Sequence, residues 1–308
     1  ATVSPEHLNG NSLEFIVGSS VSISGGENTA PPRFEFSYGI AVKAKVVKNH
    51  PEYFLYNEKG EMELTRWQFP KFDTNYSGTR AYFKSIMSYY LSNYDVDGFR
   101  CDVAHEIPTD FWEYAFDSLR VKHPKMFTLC ESENLDLTQK AFDMYYGWEF
   151  HHLMNAVAKQ EKGVEELWSY FAKADTVYPE SAIRMNFTSN HDENSWAGTE
   201  FERMGEAADV MAMLTYVVPG MPLTYTGQEV GNTRRLRFFD KDTVAVDENF
   251  CDFVYRMGNE MHASYPALYT NELGAKMERV ELGEGMENVF ACRRAVEGNE
   301  VYAFFNFS

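Results

Sequence analysis

Acidic residues follow three apolar, strand-like stretches of this chain and could together perform acid–base chemistry. The stretches are DGFRCDVA (Asp97 to Ala104), MFTLCESEN (Met126 to Asn134) and AIRMNFTSNHDEN (Ala182 to Asn194), with the candidate acids Asp102, Glu131 and Asp192. The two-residue side-chain period of a strand places Arg100 and Asp102 on one face of the first stretch. The permanently charged arginine should hold Asp102 ionised near neutral pH, as a nucleophile or charge stabiliser requires. Taken alone, the pair could also be a structural salt bridge.

The other two acids complete a set with distinct roles. Glu131 follows the apolar run FTLC without a neighbouring cation in the sequence. Burial and nearby aspartates should therefore raise its pKa, as a proton donor requires. Asp192 would stabilise an oxocarbenium-like transition state, and His191 beside it would donate to a sugar hydroxyl. One protonated and one ionised carboxyl are what glycosidic bond cleavage needs. A buried structural acid or a metal site would explain any one of these strand ends by itself.

The elements that must position these acids alternate between helix and strand patterns. Apolar residues at helical spacing predict helices over 79–93, 110–119, 149–159, 165–173, 206–218 and 250–263. Strand patterns fall at 97–104, 126–134, 141–146, 182–194 and 221–229. Such alternation predicts a parallel sheet, open or closed, whose ligands lie at the carboxyl ends of the strands. We therefore expect the three acids to share one pocket.

Composition narrows the class of partner. The chain of 308 residues has 28 Lys and Arg against 46 Asp and Glu, a net charge of −18, so nucleic acids and anionic membrane surfaces would be repelled. A neutral carbohydrate would not be, and aromatic residues, at 16%, could stack on it. No run is apolar enough to span a membrane, and residues 1–30 lack a signal-peptide pattern; secreted, periplasmic and cytoplasmic locations all stay open. The four cysteines, without CxxC spacing, are interpreted as free thiols.

Four motifs resemble the α-amylase family of glycoside hydrolases. DGFRCDVA is similar to that family's nucleophile strand, and LCESEN to the strand that bears its acid/base glutamate. FTSNHDEN resembles the strand with the histidine and the transition-state aspartate, and PGMPLTYTGQE the last barrel strand. The resemblance runs from about Val47 to Ser308. The chain ends in a hairpin that is predicted to turn at Gly298 and Asn299, and this hairpin is similar to the opening of the family's C-terminal β-sandwich.

The resemblance implies a (β/α)8 TIM-type barrel and a retaining reaction on α-glucans or maltooligosaccharides. By this resemblance Asp102 forms a glycosyl-enzyme intermediate, while Glu131 protonates the leaving sugar and then activates water. Arg100 and His191 occupy the family's matching substrate-binding positions. Calcium is bound by many members of the family, but the resemblance assigns no ligands for it here.

The sequence departs from the family before the nucleophile strand. The family's earlier strand motif, with an aspartate and a histidine, is not found, and KNHPEYF (Lys48 to Phe54) lacks the upstream aspartate. We therefore expect a barrel without its first strands over 48–275, a β-rich segment of unassigned role over 1–47, and the beginning of a C-terminal β domain over 276–308. A catalytically impaired carbohydrate-binding scaffold or fragment derived from this family is the alternative to an active hydrolase.

Several further residues have two interpretations each. His105, just after the nucleophile strand, is either a contact to the sugar on the leaving-group side or an ordinary loop histidine. Trp148, with Tyr145 and Tyr146, either stacks on sugar rings or belongs to the core. The pair His151 and His152 lacks acidic partners at ligand spacing, which favours a helix surface over a metal site. In GQE, Glu229 could cap a loop.

Overall fold

The computed structural model describes residues 49–308 apart from residues 67, 95, 249, 271 and 272. The chain divides between Ser132 and Glu133 into two compact units, which are described in turn. The predicted β-rich segment 1–47 lies outside the described residues. Within the described part of the chain, no helix combines the length and the apolar character needed to cross a membrane.

Within the described residues, the first unit contains two α-helices and two parallel strands. They are α1 (Ser77–Asn93), β1 (Gly98–Cys101), α2 (Thr109–Arg120) and β2 (Phe127–Cys130). The strands pair in parallel with Gly98 opposite Phe127 and Cys101 opposite Cys130. A Cβ on Gly98 would lie 1.7 Å from the carbonyl oxygen of Phe127, so this close approach requires glycine. Helix α2 buries one apolar face, as its spacing predicts, with Phe111, Trp112, Ala115, Phe116 and Leu119.

Strand β1 is shorter than its sequence pattern suggests. It ends at Cys101 because Val103 takes a left-handed conformation, with φ of +43°, and leads into a 3-10 turn at Ala104–Glu106. Cys101 and Cys130 are buried free thiols, in agreement with the parity of their strands. The left-handed residue places the backbone after β1 where it can contact the end of β2.

The second unit continues the alternation of helices and strands. Its elements are α3 (Leu135–Thr138), β3 (Met144–Tyr146), α4 (Trp148–Ala158), α5 (Val164–Val177), β4 (Ile183–Phe187), α6 (Glu200–Met204), α7 (Ala208–Val217), β5 (Met221–Leu223) and α8 (Phe253–Ser264). β3, β4 and β5 are parallel neighbours, and a π-helix at Glu193–Ala197 follows β4. With the two strands of the first unit, these are the strands and helices of a partial (β/α)8 barrel.

An antiparallel sheet completes the second unit and fits the start of a β-sandwich. Its strands are β6 (Met277–Arg279), β7 (Val289–Val296) and β8 (Asn299–Asn306). The hairpin turns at residues 297–298, one position before the predicted turn, because Val296 pairs with Asn299 and Gly298 takes a φ of +75°. Phe290 of β7 stacks on Trp168 of α5, with ring centroids 4.4 Å apart, and joins a core shared with α4 and α7.

Candidate active site

Arg100, Asp102 and Glu131 lie together at the carboxyl ends of β1 and β2. The Nη1 atom of Arg100 forms an ion pair with Oδ1 of Asp102, and its Nη2 atom lies 3.1 Å from Oε2 of Glu131. One guanidinium therefore contacts both carboxyls. Glu131 has no neighbouring cation in the sequence, and the paired parallel strand supplies one in the structure.

The turn after β1 holds Glu131 from the other side. The left-handed Val103 donates its backbone N–H to Oε2 of Glu131 at 2.8 Å, and the Glu131 N–H donates to the carbonyl of Cys101 at 2.9 Å. Burial raises the pKa of Glu131, and the charge of Asp102 and a hydrogen bond to it raise it further. The Val103 N–H and Arg100 act in the opposite direction but do not cancel the effect of burial. The predicted direction of this pKa is confirmed.

Asp192 and His191 lie beyond the end of β4 rather than on it. The buried side chain of Asn190 accepts hydrogen bonds from the N–H groups of Asp192, at 2.9 Å, and Glu193, at 2.8 Å, and so begins the turn that leads into the π-helix. Nε2 of His191 lies 3.4 Å from Oδ2 of Asp192. Sequence reasoning missed Asn190, although Asn is a typical residue at the start of such turns. The meeting of Asp192 with Asp102 and Glu131 stays a prediction.

A buried histidine supports the segment after Asp192. His151 of α4 is fully buried, with Nδ1 3.0 Å from the carbonyl oxygen of Phe187 and Nε2 3.0 Å from Oε2 of Glu193. The hydrogen bond with His151 is the largest cause that lowers the pKa of Glu193. The surface interpretation is therefore wrong for His151, whereas His152 is exposed as expected. Glu193, 42 positions along the chain, was not recognised from the sequence as its partner.

Metal-ligand groups do not cluster in the described residues. No group of three or more His, Cys, Asp or Glu side chains there could hold a metal ion. Calcium, which the resemblance left open, therefore gains no assigned ligand from this structure, and no step of the chemistry below uses it.

The remaining predicted contact residues have different surroundings. His105 is exposed in the 3-10 turn after β1, and Tyr145 and Tyr146 are buried, so these two tyrosines belong to the core. Trp148, the first residue of α4, is half-buried and stacks on His152 with ring centroids 6.1 Å apart. Trp148 lines an open cavity of about 540 Å³.

Glu133, a further carboxyl lining this cavity, was missed by sequence reasoning. Both of its carboxylate oxygens accept the backbone N–H of Glu149 at 3.0 Å, at the N-terminus of α4. Burial nevertheless raises the pKa of Glu133 to about 7. The available signal was its place as the second acid of LCESEN.

The GQE segment after β5 is held by hydrogen bonds of its own side chains. The Gly227 N–H donates to the Glu229 carboxylate at 2.9 Å, so Glu229 caps the loop, as expected from the sequence. The buried Gln228 side chain donates to Oγ1 of Thr188 at 2.9 Å and accepts the Tyr225 N–H at 2.7 Å. This amide joins the loops that follow β4 and β5.

Comparison with protein families gives one clear match. The model of the α-amylase catalytic domain matches residues 47–272. The chain is 29% identical to α-amylase MalA of Haloarcula japonica over 220 residues, which are 69% of this chain and 31% of that protein. It is 26% identical to a maltogenic α-amylase of Bacillus acidopullulyticus over 173 residues, or 53% of this chain and 29% of that protein. It thus spans about a third of the length of these relatives.

Solved structures share the fold. An α-amylase from Lactobacillus plantarum superposes with a TM-score of 0.71 at 23% identity, covering 85% of this chain and 64% of that one. A maltogenic α-amylase, AmyB, from Thermotoga neapolitana also gives a TM-score of 0.71, at 25% identity, with coverage of 85% and 61%. The arrangement of strands and helices described above is therefore that of these structures.

Proposed function

Because this chain belongs to the α-amylase family, we propose that it is a glycoside hydrolase that cleaves α-glucosidic bonds of starch-like oligo- and polysaccharides with retention of configuration. The observation that carries the proposal is the contact of one guanidinium, that of Arg100, with the carboxyls of both Asp102 and Glu131. Double displacement needs two carboxyls close together in different protonation states, and this arrangement supports both requirements. The catalytic domain is assigned to 48–275, and 276–308 begins a C-terminal β domain.

In the first step, Glu131 is the acid and Asp102 the nucleophile. Glu131 gives its proton to the glycosidic oxygen as the bond from that oxygen to the anomeric carbon breaks, while a carboxylate oxygen of Asp102 bonds to the same carbon. The raised pKa of Glu131 favours the protonated form that this step uses. Arg100 stabilises the charge of Asp102 before attack and that of Glu131 after proton loss.

In the second step, water replaces the enzyme on the sugar. The Glu131 carboxylate takes a proton from water, the water oxygen bonds to the anomeric carbon, and the bond to Asp102 breaks. Two inversions at one carbon give net retention. Asp192 stabilises the oxocarbenium character of both transition states, and His191, His105 and Trp148 are assigned to substrate contact. The charge of −18 makes nucleic acid an unsuitable partner.

Two carboxyl variants test the assignment. Asp102→Asn should lose maltooligosaccharide hydrolysis by about 10³-fold or more, because the amide is a poor nucleophile. Glu131→Gln should lose roughly 10²- to 10⁴-fold on maltooligosaccharides but far less in the first turnover of a 4-nitrophenyl α-glycoside, whose leaving group needs no proton. In that variant a covalent glycosyl adduct on Asp102 should accumulate and be visible by mass spectrometry.

The controls separate this proposal from its alternative. Proton NMR of the wild-type reaction should show the α-anomer as the first product. Hydrolysis by Asp102→Asn at the wild-type rate would contradict the assignment. Calorimetric binding of maltoheptaose by a wild-type chain that releases no product would instead identify a non-catalytic carbohydrate-binding scaffold.

A further inference from the structure

Three exposed aromatic side chains of the second unit form one surface, here called the aromatic platform. It consists of Trp196, 61% exposed, Phe238, 37% exposed, and Phe239, 81% exposed. The ring centroids of Trp196 and Phe238 are 5.0 Å apart, those of Trp196 and Phe239 6.0 Å, and those of Phe238 and Phe239 4.8 Å. Three neighbouring rings exposed to water are unfavourable because of the hydrophobic effect. A ligand that covered this contiguous surface would remove the rings from water and so bind favourably.

The backbone beneath the platform is fixed by hydrogen bonds. Asn194 accepts the Leu236 N–H through Oδ1 at 2.7 Å, and Ser195 donates its hydroxyl to the Leu236 carbonyl at 2.7 Å. These two bonds join the π-helix that carries Trp196 to the loop that carries the two phenylalanines. Binding therefore does not have to order these two segments, and a preorganised surface loses less entropy on binding.

Ion pairs made by the two arginines just before Leu236 also hold this loop. Arg234 makes a two-pronged contact with Asp242, at 2.9 and 3.0 Å, and Arg235 pairs with Glu202 at 3.0 Å. The guanidinium groups of both arginines are thus engaged by carboxylates. The three rings of the platform are themselves aromatic and uncharged, which suits an uncharged ligand.

The platform continues to His191, a predicted substrate-contact residue of the same unit. The imidazole of His191 lies nearly parallel to the Phe238 ring, with centroids 6.4 Å apart and an interplanar angle of 20°. His191 in turn contacts Asp192, the proposed transition-state stabiliser. A chain bound with one sugar at His191 could therefore lay its next sugars on the aromatic rings.

We propose that the aromatic platform binds glucosyl units of an α-glucan beyond the one that contacts His191, and so gives the enzyme a preference for longer chains. The inference rests on the proposed function, because it places the reacting sugar at His191 and Asp192. The apolar C–H faces of sugar rings stack on aromatic rings, and a neutral glucan meets no repulsion from the acidic protein.

The test compares a platform variant with a matched control. Trp196→Ala/Phe239→Ala should raise the KM for maltoheptaose about tenfold or more, while kcat stays within about twofold of wild type. Its KM for maltotriose should change by less than about threefold. Phe304→Ala, which removes a ring of similar exposure, 59%, from β8, should leave both KM values unchanged. Trp196→Phe should recover part of the maltoheptaose affinity.

The outcomes distinguish the two proposals. The platform proposal would be overturned if Trp196→Ala/Phe239→Ala, with wild-type circular dichroism and Tm, changed the KM for both substrates equally or changed neither. The proposed hydrolytic function would not be affected by that result. If the wild-type chain hydrolyses neither substrate, calorimetry with maltoheptaose tests the platform instead. Binding that is weakened by Trp196→Ala/Phe239→Ala and not by Phe304→Ala would still support the platform. Sedimentation showing a wild-type dimer that the platform variant converts to monomer would assign the surface to a second copy and overturn the proposal.

Discussion

Two arginines of this chain are held in opposite ways. Arg100, at the end of β1, contacts two carboxyls, those of Asp102 and Glu131. Arg294 of β7 is 2% exposed and contacts four backbone carbonyls, which belong to Val217, Leu268, Tyr269 and Ala275. Burial lowers the pKa of Arg294 to about 10, so it remains a cation at neutral pH.

The difference lies in whether the partners can change protonation state. Carbonyl oxygens cannot ionise, so Arg294 fixes backbone: it ties the last turn of α7, through Val217, to the antiparallel sheet. The carboxyls at Arg100 can gain or lose protons, and burial already raises the pKa of Glu131. The same type of side chain therefore serves architecture in one region and acid–base chemistry in the other.

Among the variants that test this comparison of two arginines, Arg100→Met should have the largest effect. Without the cation, the nucleophilic carboxylate of Asp102 and the carboxylate that Glu131 becomes after giving up its proton both lose their counter-ion. We expect kcat/KM on maltooligosaccharides to fall by roughly 10²- to 10³-fold, by analogy with loss of an acid–base group. Initial rates at several substrate concentrations, with circular dichroism to verify folding, provide the measurement.

Arg294→Met should lower the stability of the protein and leave its catalytic rate unchanged. The variant leaves buried carbonyls without a donor, at a cost of about 3 kcal/mol, which corresponds to a fall in Tm of roughly 5 to 10 °C. The kcat of the folded fraction should remain that of wild type. The division of roles between the two arginines would be wrong if Arg294→Met lowered kcat and left Tm unchanged. It would also be wrong if Arg100→Met lowered Tm and left kcat/KM unchanged.

Local pattern was sufficient for the longer helices and for the order of the strand ends, but not for the short helices α3 and α6. The apolar spacing of 110–119 predicted the buried face of α2, and the apolar run before Glu131 predicted the direction of its pKa. Each of these features depends on residues within a few positions of one another. Strand lengths were overestimated because a left-handed residue such as Val103 leaves no trace in an apolar run.

Contacts between distant residues were the part that the sequence could not supply. Arg100 reaches Glu131 across the β1–β2 pairing, and His151 reaches Glu193 from a helix 42 positions earlier. A histidine beside a second histidine on a helix has the same local pattern whether it is buried or exposed. The aromatic platform was missed for the same reason, since Trp196 and Phe238 belong to separate loops joined through Leu236.

The smallest effect concerns how stability depends on pH. Since burial raises the pKa of Glu131 above 4.5, the native state binds a proton that the unfolded chain has lost between 4.5 and that raised pKa. Stability from this group is therefore complete below pH 4.5 and decreases as pH rises through the raised pKa. Glu131→Gln cannot ionise, so its Tm should rise relative to that of wild type as the pH increases across this range. The difference in Tm between Arg294→Met and wild type should stay constant over the same pH range, because the carbonyl partners of Arg294 do not titrate. If that difference varied with pH as the difference between Glu131→Gln and wild type does, the distinction between the two sites would be lost.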